Sequence, residues 1–266
     1  MLERIANVGL RHYLKLFPHS MRFKQTCEVF IAQNQPENSH HFAVNGEEAF
    51  TKEHVTRCHV VFDVGANVGE WAQMALSANP SIELHCFEPS LSTYRRLEAC
   101  DLPGNVVRNN LGLSSVAAEG ELYIFGEEGG MNSLHQRRGL EPGYGIETPT
   151  QVERVQLETL DAYCQKHNVQ TIDLLKIDTE GHDLQVVCGG TQMLQAGNIK
   201  RIQFEYGGTN IDSRVLLKDF FDLLLPLGFW VSRIMPKGLV PVPMYDQRLE
   251  DFKYKNFVAL HSSLPQ

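Results

Sequence analysis

A glycine-rich turn with an acid in front of it is the part of this chain whose residue types most clearly indicate chemistry. Residues 61–69 read VFDVGANVG, so an apolar run ends at Asp63 and passes directly into a turn with Gly65 and Gly69. Glycine tolerates positive φ and has no Cβ, so the backbone can turn tightly beneath a bound molecule. A dinucleotide-binding turn has its acid about 20 residues after the glycines. The position of Asp63 therefore indicates a different ligand.

Polar side chains also follow the next two predicted strands. Glu88 comes at the end of an apolar strand at 82–87, and Asn110 comes shortly after a strand at 106–108. Ligands of an open parallel sheet bind at the carboxyl ends of its strands. A carboxylate there can accept both hydroxyls of a ribose, and we predict this role for Glu88 in preference to that of a solvated residue at a strand end. Asn110 could bind a base edge through its amide, or could form a local Asx turn.

A lysine within an apolar strand marks a third cluster, IDLLKIDTEGHDL at 172–184. Lys176 and Asp178 lie two positions apart, on one face of the predicted strand. An unpaired buried ammonium is costly, so we expect a carboxylate partner among Asp63, Asp178 and Glu205. Asp178 and Glu205 end neighbouring strands and could instead hold a divalent metal through their oxygens. We favour the ion pair and predict no metal.

The acidic and imidazole side chains that follow this strand are the candidate catalytic groups. Asp178, Glu180 and His182 come in quick succession. The ordinary pKa of histidine, about 6.5, suits a general base at neutral pH. Asp178 could orient His182 or act as the base itself, Glu205 could hold an acceptor hydroxyl, and His135 is a second candidate base. The alternative for His182 is a solvent-facing residue at the start of a helix.

Alternating strands and helices are predicted to position these groups. Core strands are predicted at 59–63, 82–87, 106–108, 172–177, 201–205, 229–234 and 257–261. Their spacing indicates βαβ units and a parallel sheet, and hence a doubly wound α/β fold. We expect a helix at about 212–225 and a connector that begins at Gly238 and leads to the last strand.

An insertion is predicted after the third core strand. Segments 121–125 and 152–157 alternate as the two strands of a β-hairpin would. The glycine-rich loop between them, residues 126–150, is long enough to indicate a lid. Arg137 and Arg138 in this loop could grip a carboxylate or phosphate, or could simply be solvated.

Together these motifs resemble those of the FkbM-type S-adenosylmethionine (SAM)-dependent methyltransferases. The resemblance covers about residues 58–262 and is carried by VFDVGANVGEWA, HCFEPS, NLGLSS, TLDAYC, IDLLKIDTEGHDLQVV, FEYG and NFVAL. The K-I-D-x-E-G segment is its most distinctive part. The resemblance implies an α/β, Rossmann-like class I methyltransferase fold with a seven-stranded, mostly parallel sheet and an antiparallel last strand.

The resemblance also implies an enzyme that transfers the methyl group of SAM to a hydroxyl of a sugar, polyketide or related secondary metabolite. Such a transfer needs the acceptor oxygen held in line with sulfur and methyl, and a group that takes its proton. The predicted catalytic residues are Asp178, His182 and Glu205. The predicted SAM-binding residues are Asp63, Gly65, Ala66, Asn67, Gly69, Glu88 and Asn110.

Two other functions stay open. A non-catalytic SAM-fold scaffold or partner subunit would keep the same cofactor turn without transferring a methyl group. An NAD-dependent oxidoreductase is less favoured, because the acid precedes the glycine turn and a third glycine step is absent.

We predict one catalytic domain, preceded by an extension. Residues 58–266 are assigned to the methyltransferase domain, and residues 1–57 to a helical extension and connector. Residues 1–17 show an apolar helical stripe. A helix docked on the domain or on a second copy, giving a homo-oligomer, is favoured over one lying on a membrane surface. Residues 33–57 are polar and are expected to be irregular.

Composition limits the classes of partner that we expect for this protein. The 24 basic and 32 acidic residues give a net charge of −8, which disfavours nucleic acid as a partner. The six cysteines contain no C-x-x-C pair and are predicted to be reduced, as in the cytoplasm. No apolar run reaches the roughly 18–20 residues of a membrane span, and no signal peptide is seen. We expect a small-molecule or glycan acceptor.

Overall fold

The computed structural model of this chain describes Cys27 and residues 36–126, 130–137 and 149–264. Within them the strands are β1 (Val60–Val64), β2 (Glu83–Phe87), β3 (Val106–Asn109), β4 (Gly112–Leu113), β5 (Ala118–Ile124), β6 (Gln151–Glu158), β7 (Leu174–Ile177), β8 (Arg201–Tyr206), β9 (Phe229–Met235), β10 (Gly238–Val242) and β11 (Lys255–His261). The helices are α1 (Phe42–Asn45), α2 (Glu47–Val55), α3 (Glu70–Ala78), α4 (Leu91–Ala99), α5 (Leu160–His167), α6 (Asp183–Cys188), α7 (Thr191–Gln195), α8 (Thr209–Ser213) and α9 (Leu217–Leu224). The helix predicted at 1–17 lies outside the described residues.

The larger sheet has eight strands in the order β10-β9-β11-β8-β7-β1-β2-β3. Neighbours from β3 to β8 are parallel, and β11 runs antiparallel between β8 and β9. This confirms the predicted α/β fold with a mostly parallel sheet and an antiparallel last strand. The strand order reverses between β1 and β7, and ligands of such sheets bind outside the carboxyl ends of the strands at that point.

One prediction about this sheet is wrong. The segment from Gly238 is not a connector but the strand β10, which pairs antiparallel with β9 through the register Gly238↔Met235. The sheet therefore has one strand more than the predicted seven. Pro236 and Pro241 made the segment look irregular. A proline cannot donate to a ladder, but it is compatible with an edge strand such as β10.

A smaller sheet of three strands has the order β4-β6-β5. The antiparallel pairing of β5 with β6 confirms the predicted hairpin, and β4 adds a parallel strand to it. Ser133, in the loop between β5 and β6, exchanges two backbone hydrogen bonds of 2.9 and 3.1 Å with Tyr123 of β5. This exchange holds that part of the loop against its own hairpin.

The segment before β1 is helical where irregular structure was expected. The irregular connector predicted at 33–57 is wrong over α1 and α2, which meet at Gly46 with a φ of +100°. Phe50 and Val55 are buried on one face of α2 and pack into the core. The segment looked polar because the remaining faces of this short helix carry charged side chains.

The helix predicted at about 212–225 is instead two helices, α8 and α9. Arg214 stands between them with a φ of +58°, which ends α8 in a left-handed conformation. No described helix is long and apolar enough to cross a membrane.

The core lies on both faces of the larger sheet. Phe62 and Val64 of β1 pack on one face with α5, α6 and α9, whereas Val61 packs on the other with α2 and α3. This alternation is the period of two that a strand imposes on its side chains. Asp63 consequently lies on the same face of β1 as Val61, towards α3.

Candidate active site

The glycine turn after β1 folds as a tight loop against β2 and β7. The amides of Gly65 and Ala66 both donate to the carbonyl of Phe87 at 3.0 Å. Gly65 has a φ of +81°, and a Cβ added there would lie 1.8 Å from the carbonyl oxygen of Asp178. Only glycine therefore fits at position 65, because the turn must pass directly over the end of β7.

The second half of the turn leads into α3. Asn67 has a φ of +47°, and Gly69, with a φ of +91°, is the N-cap residue directly before α3. A Cβ at Gly69 would approach Leu97 of α4 to 3.0 Å. The Oδ1 atom of Asn67 is buried without a hydrogen-bond partner in the described part of the chain. An unpaired buried carbonyl oxygen at a turn of this kind is suited to a ligand donor.

Glu88 is bonded to this turn rather than solvated. Its Oε2 accepts the amide of Asn67 at 3.1 Å and its Oε1 accepts the amide of Ser90 at 2.9 Å. The residue is only 6% exposed, and burial raises the pKa of its carboxyl to about 7. A carboxylate has about four lone-pair sites, so two acceptor positions remain for a ligand.

Asn110 lies beside the same strand ends with its donors already used. Its amide nitrogen donates to the carbonyls of Glu88 and Pro89, each at 3.0 Å. These hydrogen bonds join Asn110 to the segment that directly follows β2, an arrangement different from the Asx turn considered as an alternative. A contact with a base edge would have to use the carbonyl oxygen of Asn110.

Two of the three candidate carboxylates pair with the buried lysine. Lys176 Nζ lies 3.0 Å from Asp63 Oδ1 and 3.4 Å from Asp178 Oδ2, and 5.7 Å from the centre of the Trp71 ring. Burial lowers the pKa of Lys176, but Asp63 and Asp178 outweigh burial and raise it, so the ammonium stays protonated. The expectation that Glu205 shares this lysine is wrong.

A third acid near the lysine comes from a helix that sequence analysis missed. Glu47 of α2 is 4% exposed and accepts a hydrogen bond of 2.7 Å from Gln203 Nε2. Burial raises its pKa to about 7, and the charge of Lys176 opposes that rise. The apolar spacing of Phe50 and Val55 could have indicated the helix, but no local signal links Glu47 to Lys176.

Glu205 lies near the end of β8. Its carboxylate accepts the hydroxyl of Tyr254 at 2.5 Å, and its backbone amide donates to Asp183 Oδ2 at 2.9 Å. Burial, together with the nearby Asp178 and Glu180, raises the pKa of Glu205 well above its ordinary range. The partner Tyr254 is separated from Glu205 by 49 positions, and nothing local in the sequence indicates the pairing.

His182 is buried and joined to a second histidine. Its Nδ1 lies 3.1 Å from His135 Nε2, and its Nε2 lies 3.0 Å from Ser114 Oγ. Its exposure is 8%, so the alternative of a solvent-facing His182 is wrong. The two candidate bases, 47 positions apart, thus lie in direct contact.

The loop that carries His135 docks on the turn before His182. Ser133 Oγ donates to the carbonyl of Glu180 at 2.8 Å, and Arg137 Nη1 lies 3.1 Å from Glu180 Oε2. Burial raises the pKa of Glu180 to about 8 although Arg137 opposes the rise. Arg137 is therefore paired within the protein, and Arg138 lies outside the described residues.

One crevice at the carboxyl ends of β1, β2 and β7 collects most of these groups. The predicted site residues that line it are Gly65, Asn67, Glu88, Asp178 and His182, and Glu180 lines it with them. Gly130, Asn132 and Leu134 of the hairpin loop close its other side, in agreement with a lid. Asp63, Ala66, Gly69, Asn110 and Glu205 lie around the crevice without lining it.

Metal ligation has little geometric support. Over the described ranges no group of three or more His, Cys, Asp or Glu side chains is arranged to hold a metal ion. Asp178 faces Lys176, and Glu205 faces Tyr254. The preference for a metal-free site stays a prediction.

A family model described as the methyltransferase FkbM domain matches residues 63–229, which contain the glycine turn, Glu88 and the Asp178–His182 segment. The chain belongs to this family. Its curated relatives include the hexuronic acid methyltransferase AglP of Haloferax volcanii, which is 29% identical over 162 residues. That match covers 60% of this chain and 62% of the relative, less than two thirds of the relative's length.

Other similar proteins are also methyltransferases by name. The 2-O-methyltransferase NoeI of Sinorhizobium fredii is 22% identical over 191 residues, covering 68% of this chain and 76% of NoeI. The solved structure of the plantazolicin methyltransferase BpumL with SAH is 10% identical, with a TM-score of 0.45 and 98% of each chain covered. A putative rRNA-methylase from Clostridium thermocellum is 8% identical, with a TM-score of 0.47, and the match covers 82% of this chain and 95% of that chain. The family assignment depends on the sequence matches.

Proposed function

We propose that this FkbM-family protein transfers the methyl group of SAM to a hydroxyl of a sugar. The observation that carries the proposal is the single crevice in which the glycine turn and Glu88 meet Asp178 and His182. A cofactor-binding half and an acid–base half are thereby adjacent. The relatives whose names refer to a hexuronic acid and to 2-O-methylation support a sugar hydroxyl as the acceptor.

The residues of the crevice fit an adenosyl cofactor. We assign the ribose hydroxyls to Glu88, whose carboxylate has acceptor positions left beside its two backbone hydrogen bonds. The unpaired buried Oδ1 of Asn67 offers a further acceptor on the same wall. Gly65 lets the backbone approach the ligand without a side chain. Asp63 acts from behind the turn, by holding Lys176.

When bound, SAM supplies a sulfonium methyl group that is already electrophilic. The chain then has to hold the acceptor hydroxyl at attack distance, exclude water and take up a proton. Asp178 is suited to orient that hydroxyl, because its carboxylate is fixed by Lys176 and its side chain is still 35% exposed. Gly130, Asn132 and Leu134 cover the crevice and exclude water from it. Glu205, which is held by Tyr254 and does not line the crevice, is assigned a supporting role beside Asp178.

Three expectations about the wider protein stay proposals. These are the division into an extension at 1–57 and a catalytic domain at 58–266, association of copies through residues 1–17, and a cytoplasmic location. The packing of α2 into the core supports moving the start of the catalytic unit to α1 or earlier.

The test is a transfer assay with the purified chain and isotopically labelled SAM. The acceptors are methyl glycosides of hexoses and of hexuronic acids, and NMR of the product locates the new methyl group. We expect label on a sugar oxygen, and we expect Asp178→Asn to abolish transfer while it keeps SAM binding by calorimetry. Asp222→Asn, an exposed acid on α9, is the matched control and should transfer normally. A chain that binds NAD and not SAM would overturn the proposal.

A further inference from the structure

Both ring nitrogens of His182 are occupied within the protein. Nδ1 lies 3.1 Å from His135 Nε2 and Nε2 lies 3.0 Å from Ser114 Oγ, and both distances are those of hydrogen bonds. A general base must present a lone pair to the proton that it removes. His182 has no nitrogen left for a substrate unless one of these two bonds breaks.

His135 has one nitrogen occupied and one available. Its Nε2 contacts His182, whereas its Nδ1 has no hydrogen-bond partner in the part of the chain that the structure describes. The backbone amide of His135 donates to Ser133 Oγ at 3.1 Å, and that hydroxyl donates in turn to the carbonyl of Glu180. These bonds fix the backbone at His135, and the imidazole itself lies against His182, which lines the crevice together with Leu134.

The two hydrogen bonds that join Ser114, His182 and His135 allow two arrangements of the protons. In one, His135 Nε2–H donates to His182 Nδ1 and His182 Nε2–H donates to Ser114 Oγ, which leaves a lone pair on His135 Nδ1. In the other, every bond is reversed and His135 Nδ1 carries a proton. A protonated His135 donates from both nitrogens, so only the first arrangement lets it gain a proton without rearrangement.

We infer that His135 is the general base of the methyl transfer and that His182 is a positioning residue that fixes the tautomer of His135. The inference rests on the proposed function. The acceptor oxygen forms its bond to the methyl carbon while the carbon–sulfur bond breaks and its electron pair stays on sulfur. The proton of the acceptor hydroxyl passes to His135 Nδ1. His182 accepts from His135 Nε2 throughout, as an orienting group does in a catalytic triad.

The surroundings of the pair favour this division of roles. Burial and the neighbouring His135 lower the pKa of His182 to about 4, so His182 stays a neutral acceptor at pH 7. Burial also lowers the pKa of His135, and Asp212 on α8 opposes that change. Charged groups next to the pair along the chain include Arg137 and Glu180, which are joined to each other, and Asp183, which accepts from Thr179 and from the backbone amide of Glu205.

Nitrogen-15 NMR of the imidazole rings in the full chain tests the assignment without any acceptor. We expect His135 and His182 to be protonated at Nε2 and unprotonated at Nδ1 at pH 7. We expect His135 to titrate at a higher pH than His182, and His182 to stay neutral down to about pH 5. A proton on His135 Nδ1, or a His182 that titrates before His135, would overturn the inference.

Variants separate the base from the residue that positions it. His135→Gln should lower kcat by about 10²- to 10⁴-fold, the usual contribution of a general base, and should remove the acidic limb of the pH profile of kcat/KM. His182→Leu should lower kcat by about 10- to 100-fold and release the tautomer of His135 in the NMR spectrum. His182→Asn keeps an acceptor near the position of Nδ1 and should recover most of that loss. His261→Gln, a distant histidine that also contacts a serine, is the control and should change nothing.

Failure of this inference is distinct from failure of the proposed function. If SAM does not bind by calorimetry, the proposed function is wrong whatever the tautomers are. If SAM binds and a sugar is methylated, but His135→Gln keeps the wild-type acidic limb, only the assignment of His135 is wrong.

Discussion

The affinity for SAM should depend on pH through Glu88. This carboxyl is 6% exposed, and burial raises its pKa to about 7. Only the ionised form can accept from both ribose hydroxyls while it also accepts from the amides of Asn67 and Ser90. The ionised fraction is about 90% at pH 8 and about 10% at pH 6, so the apparent Kd should rise about tenfold as the pH falls between them.

Substitution isolates the contribution of this one group. Glu88→Gln removes the charge and places an amide NH₂ against a backbone N–H of Asn67 or Ser90. A hydrogen bond to a charged group contributes about 1.5–3 kcal/mol, so SAM should bind about 10- to 150-fold more weakly at pH 8. The remaining affinity should be the same at pH 6 and pH 8. Glu153→Gln changes a nearby acid that accepts the amide of Leu91 outside the crevice, and it should keep the wild-type slope.

Isothermal titration calorimetry at several pH values is the assay. The α-amino group of SAM titrates near the top of this range, with an ordinary pKa of about 7.7–8.0. 5′-Methylthioadenosine, which has the ribose and lacks that amino group, should therefore give the same slope. A wild-type Kd that is equal at pH 6 and pH 8, or an unchanged slope in Glu88→Gln, would refute the reasoning.

Stability without cofactor should change with pH in the opposite direction. The folded-state pKa of Glu88, about 7, lies above the ordinary 4.5, so its contribution to stability is complete below about pH 4.5 and is lost as the pH rises through 7. Glu47, at about 7, and Glu180, at about 8, act in the same sense. The melting temperature should fall from about pH 6.5 to pH 8, and SAM should raise it more at pH 8 than at pH 6. Below about pH 6.5 the lowered pKa values of His182 and His135 act in the opposite sense, because their burial as neutral rings costs stability once the unfolded chain can protonate them.

Two further substitutions test how the site is built. Lys176→Met leaves two carboxylates without their buried cation, so it should lower the free energy of unfolding in urea by about 3–5 kcal/mol. Lys218→Met, which breaks a surface ion pair, is the control and should change that free energy by less than about 1 kcal/mol. Gly65→Ala directs a Cβ into the carbonyl oxygen of Asp178 and should abolish SAM binding measured by calorimetry. A Cβ at Gly104 meets nothing within 4 Å, so the control Gly104→Ala should bind SAM and melt as the wild type does. A stable Lys176→Met or a SAM-binding Gly65→Ala would contradict the described packing.

Local patterns were enough to predict the frame and one half of the site. The period-two strands and the helices between them follow from side-chain alternation, which is a property of neighbouring residues. The turn at Gly65 and Gly69 needs positive φ, which the sequence indicates by residue type. Prediction failed where local patterns conflicted with packing, as in β10, whose prolines are accommodated only because the strand lies at the edge of the sheet.

The other half of the site was decided by contacts between distant parts of the chain. The sequence identified Lys176, Glu205, His135 and His182 as candidates for chemistry, but it could not choose their partners. Tertiary packing joined His135 to His182, Lys176 to Asp63, and Glu205 to Tyr254. Each pair is separated by more than 40 positions. Such contacts depend on which strands become neighbours and how loops dock on them, and no short window of sequence contains that information.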